Sequence, residues 1–142
     1  MKLNLSRFLV ILAVAMVLGS TAHAQSVKIR AQVPFDFVLG DKVYPAGEYV
    51  IQALTDDSHG LLIRNRTTKV STMTLSYPAT SIAAAKQTAL EFHRLGNTYF
   101  LCQAKFEGSP TSRQFPRSHT ESKMAMMQTK PETVIVAANI IP

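Results

Sequence analysis

One stretch, LEFHRLGNTYFLCQAKFE (Leu90–Glu107), brings a carboxylate, an imidazole and a thiol close together: Glu91, His93 and Cys102. A thiol activated by an imidazole that a carboxylate orients is a nucleophile–base set. The same three groups are also zinc ligands. Gly96-Asn97 lies between two extended runs, and Gly at the first position of a two-residue loop is a hairpin signal. That loop sets Leu95 opposite Thr98, His93 opposite Phe100, and Glu91 opposite Cys102. Ala89, Glu91, His93, Leu95, Phe100, Cys102, Ala104 and Phe106 then share one face, and Leu90, Phe92, Arg94, Tyr99, Leu101 and Gln103 the other. Directly opposed residues have Cβ atoms ~5 Å apart, so the three groups can meet. Leu95, Phe100 and Phe106 lie on their face, however, and a lone cysteine is among the most often buried residues. No glycine loop of oxyanion type adjoins Cys102. The residues predict a buried thiol beside a hydrogen-bonded His93, with no catalytic, cofactor-binding or metal residue assigned and no cofactor. A hydrolase or metal site at Glu91, His93 and Cys102 is the alternative.

Other candidates have simpler readings. His59 stands in a polar loop with Asp56 and Asp57, which lacks the D-x-D-x-D-G calcium spacing and reads as a solvated turn. His119 beside Glu121 reads as a solvated first-turn residue of a helix. Asp36, Asp41 and Glu48 have no spacing that selects a glycosidase pair. Asp36 reads as a wet-face residue and Asp41 as a turn former. Arg64, Arg66 and Lys69 crowd one hairpin tip without the interleaved aromatics of a nucleic-acid surface. Met124 and Met127, three apart, read as the inner face of a short helix, with Met126 completing the cluster.

The elements that position these residues are mostly strands. Val27 to Phe37 alternates: Val27, Ile29, Ala31, Val33, Phe35 and Phe37 are apolar, with Lys28, Arg30, Gln32, Pro34 and Asp36 between them. A period of two gives a strand with one wet and one buried face, and Pro34 belongs at an edge or bulge. Turn signals follow at Gly40-Asp41 and Pro45-Ala46-Gly47. Glu48–Leu54, Leu61–Arg66 and Val70–Tyr77 read as strands, and Met73, Leu75 and Tyr77 share a face. Pro78 ends that pair. Thr80–Lys86 fits a helical turn or a linker. Ser118-x-x-Glu121 is a capping box that opens a helix over about His119–Gln128, and Thr133–Ile141 supplies a last strand. Both faces of the Leu90–Glu107 hairpin are half apolar, so the sheet is covered on both sides or curls. The fold class is all-β: an antiparallel β-sandwich or partly open β-barrel with one short C-terminal helix.

Residues 1–24 read as a signal peptide. Lys2 and Arg7 precede an apolar run from Phe8 to Leu18, and Ala22-His23-Ala24 is a small-x-small cleavage site. That run is shorter than the ~20 residues a membrane span needs, so no transmembrane segment is expected in the mature chain. Gln25–Pro142 then has the size of a single β-domain, secreted or periplasmic. The formal net charge of +6 is mild and dispersed, which argues against a nucleic-acid partner and permits an anionic surface. The single cysteine cannot form an internal disulfide, so stability rests on the core.

The segment VPFDFVLGDKVYPAGEYVI (Val33–Ile51), with the Leu62–Arg64 strand and the Phe92-His93-Arg94 hairpin, resembles a family of small exported bacterial proteins. The matching positions are Val33, Pro34, Phe35, Phe37, Gly40, Asp41, Lys42 and Pro45 to Tyr49. The resemblance implies a compact all-β secreted domain and transfers no activity. The leading expectation is a non-catalytic binding or envelope-associated structural module, its partner a protein, an anionic glycan or the envelope surface. A small β-barrel that binds an apolar small ligand is the alternative to it.

Overall fold

The computed structural model describes residues 27–55, 57–127 and 130–142, so the expected signal peptide, Asp56 and Gln128 lie outside the described residues. Strands follow one another from β1 (Lys28–Val33) through β2 (Phe37–Leu39), β3 (Lys42–Tyr44), β4 (Gly47–Ala53), β5 (Gly60–Asn65), β6 (Ser71–Leu75) and β7 (Tyr77–Thr80). Then come β8 (Ala89–Leu95), β9 (Thr98–Lys105), β10 (Thr111–Gln114), the helix α1 (His119–Met127) and β11 (Glu132–Ile141). They form one curled open sheet, a half-barrel, in the order β3-β2-β9-β8-β11-β1-β4-β5-β6, while β10 joins β9 and β7. All pairings among named strands are antiparallel except that of β2 with β9. The all-β open barrel with one C-terminal helix is therefore the observed class.

The opening alternation holds through Val33: Ile29, Ala31 and Val33 are buried. It does not run on to Phe37 as one strand. Pro34 has no N–H for the ladder, and the chain bends at Phe35 before β2 crosses to pair with β9. Phe37 is fully buried, whereas Phe35 is only half-buried, stacked on Tyr99 at a centroid distance of 3.8 Å. Asp36 is not merely a wet-face residue, because its Oδ1 accepts from the Ala46 amide at 2.8 Å. That bond ties the Pro45-Ala46-Gly47 turn to the bend, and the Tyr49 hydroxyl donates to the Pro45 carbonyl.

Phe37, Tyr49 and Phe92 meet edge to face in the middle of the larger core, at centroid distances of 5.0 and 5.4 Å from Phe37. A second, smaller core of Val38, Leu95 and Phe100 lies on the other side of β8–β9, where Met124 and Ala125 of α1 cover it. Met127, expected on the inner face, is 84% exposed: Glu121 and Ala125 share the buried side with Met124 instead. Pro78 does not end a strand pair but sits inside β7, opposite Arg113. The segment from Ser81 to Lys86 forms no helical turn; its one ladder contact is a bridge from Ala85 to Glu107.

Candidate functional sites

Gly96 takes φ of 62°, and the two-residue loop sets Leu95, Arg94, His93 and Phe92 opposite Thr98, Tyr99, Phe100 and Leu101. The expected register holds to that point and then breaks. A β-bulge shifts Glu91 to Gln103, leaving Cys102 without a cross-strand partner. An extra residue in one strand reverses the facing of everything beyond it. Ala104 and Phe106 consequently join Leu90 and Phe92 in the larger core, contrary to the uninterrupted alternation.

The bulge keeps Cys102 on the side of Glu91 and His93. One ligand atom of each of these residues lies within 4.8 Å of the other two. The Cys102 thiol donates to the Glu91 carbonyl at 3.0 Å, and Lys105 pairs with Glu91 Oε2. His93 Nδ1 meets Glu121 Oε1 at 3.1 Å, and Arg117 Nε approaches the same oxygen at 3.6 Å. Glu121 is buried at the start of α1, where its amide donates to Ser118 Oγ at 2.9 Å. The capping-box bond from Ser118 is present, and the Glu121 carboxylate is turned to His93. Burial first, then the charges of Glu91 and Glu121, push the Cys102 thiol up to about 12. Burial thus favours its protonated form at neutral pH.

A second candidate lies at the sheet's two edges. Among the described residues β3 pairs only with β2, and β6 only with β5. The sheet curls until these edges face each other across a slot of two adjoining cavities, about 280 and 360 Å³. Tyr44, Tyr49 and Leu39 form its floor, and Val43, Val70 and Met73 stand exposed along its walls. Lys42 lines both cavities and Asp41 one of them. Sequence reasoning missed this slot. The exposed face of Met73 and Leu75 was its only signal.

The remaining candidates have local structural work. His59 pairs with Asp57 at 3.3 Å in an exposed loop; bonds from Thr55 Oγ1 and the His59 amide hold Asp57 below the usual carboxylate range. Arg64 donates to Ser71 Oγ at 3.2 Å. A mostly apolar cavity of about 220 Å³ opens between Ile29, Ile51, Leu61 and Phe106, with Arg113 at its rim. Among the described residues no helix is long and apolar enough to cross a membrane. Comparison with protein-family models, curated proteins and solved structures finds no match.

Proposed function

We propose that this chain is an exported, non-catalytic binding module that takes an extended peptide segment of a partner protein into the slot between β3 and β6. The observation that carries the reading is the pair of unpaired strand edges facing one another across an apolar floor. An edge strand presents free N–H and C=O groups, and a peptide that adds a strand satisfies them while its alternate side chains enter the sheet. Val43, Val70 and Met73 suit apolar side chains, and Lys42, which lines both cavities, suits an acidic one. The occupant is thus a strand that alternates apolar and acidic residues. The protonated thiol supports the non-catalytic side of the reading.

Native-state hydrogen exchange tests this. In the free protein the β3 and β6 amides should exchange far faster than those of β1 and β8. A fluorescent peptide of alternating Val and Glu should slow them and bind saturably, and Val43→Lys with Val70→Lys should abolish that binding. Edge amides already protected like interior ones would mean the slot closes on itself and would overturn the proposal. On the same reading the exported protein begins at Gln25, which mass spectrometry reads directly.

A further inference from the structure

We propose that Glu91, His93 and Cys102 of the β8–β9 hairpin bind one zinc ion, with Glu121 of α1 holding the imidazole. The inference concerns the opposite flank of the sheet from the peptide slot and stands apart from it. Three ligand atoms already lie within 4.8 Å of one another, and an ion at ~2.0–2.3 Å from each would draw them closer. The donor set of sulfur, imidazole nitrogen and carboxylate oxygen selects zinc. Calcium and magnesium take oxygen ligands and find one carboxylate among the three.

The surroundings are those of a ligand set with its outer contacts in place. Lys105 holds Glu91 Oε2, which leaves Oε1 for the ion. Glu121 accepts from His93 Nδ1, which fixes the tautomer and leaves Nε2 free, the carboxylate–histidine arrangement common at zinc. Glu121 is itself fixed by Ser118 and balanced by Arg117. The bulge takes Cys102 out of the ladder while leaving it on the face of Glu91 and His93, and bulges are common beside functional sites. On binding, the S–H bond breaks, a zinc–sulfur bond forms and the proton leaves to solvent. Thiolate and Glu91 then neutralise the dication. Water takes the fourth position.

The test uses the mature chain, stripped with chelator and titrated with zinc chloride or cobalt chloride. One equivalent should bind with proton release, and cobalt should give a sulfur-to-metal charge-transfer band with the visible bands of a tetrahedral ion. Cys102→Ser should abolish the charge-transfer band, and His93→Gln should weaken zinc at least tenfold. Glu121→Gln, a change at the outer contact, should weaken it by ~10–100-fold. His59→Gln should change nothing. Because the chain has a single cysteine, the cobalt spectrum of the unaltered protein reports Cys102 even if a variant fails to fold. Absence of saturable one-to-one binding, a cobalt spectrum without the sulfur band, or binding lost in His59→Gln would overturn the proposal.

Discussion

The two faces of the β8–β9 hairpin use the same strands for opposite purposes. Inward, Leu90, Phe92, Leu101 and Ala104 are almost wholly inaccessible and touch only apolar neighbours. Outward, Leu95 and Phe100 form a small apolar floor, and beside it Glu91, His93, Cys102 and Glu121 are joined by specific polar contacts under one short helix. The inner face is held by area removed from water, which is non-directional and tolerates no lost volume. The outer face is held by directional bonds, each worth little net but costly to leave half made. Burial alone does not separate the two: Cys102 and Glu121 are as hidden as many core residues. What separates them is which partner each group has.

The largest effect should come from the inner face. Phe92→Ala should cost about 3–5 kcal/mol in urea denaturation, a large share of a small domain's stability. Phe37→Ala should match it, while the half-buried Phe35 should cost less. On the outer face, Glu121→Gln should cost about 1–3 kcal/mol, because it weakens a charged hydrogen bond in a buried place. A double-mutant cycle with His93→Gln should show coupling, and simple additivity would mean the contact carries no energy. Smaller still, over any single pH unit, is a pH effect in chelated protein. The Cys102 thiol is raised to about 12 in the folded state, so the unfolded chain loses its proton first. Stability should therefore fall as pH rises from about 9 to 12, by at most ~1.4 kcal/mol per pH unit, and Cys102→Ala should remove that part of the slope. Lys28→Ala, on the wet face of β1, should shift stability by less than about 0.5 kcal/mol. An equal loss from Lys28→Ala and Phe37→Ala would reverse the assigned facing.

What the sequence made legible was local. The alternation of Ile29–Val33, the Gly96-Asn97 loop and the Ser118 cap are each written within a few residues, and each is present. The bulge was not legible, since no glycine or proline marks it, and the facing of Ala104 and Phe106 depends on it. Glu121 was the missed member of the outer cluster. Its signal was available: it sits three residues before Met124, the one methionine that does face inward. The slot was out of reach because it depends on how far a sheet curls, and curl is a property of the whole set of strands rather than of β3 or β6.

The place of β11 has a consequence for the order of assembly. The last strand in the chain is the one that joins β8 to β1, with Ile141 beside Lys28. The N-terminal strands β1, β4, β5 and β6 can zip locally, as can the β8–β9 hairpin. Apart from the short β2–β9 pairing, the ladder between them cannot close until residues more than a hundred positions from β1 arrive. Closing so long a loop is entropically slow, and contacts of this separation place a domain among the slower folders. During synthesis the chain thus passes through a prolonged interval in which β1 and β8 both display bare edges, the state most open to mispairing with other chains. A truncation that removes β11 should therefore do more than weaken the fold: it should open the ladder between β8 and β1 and leave the short β2–β9 pairing to hold the two halves together.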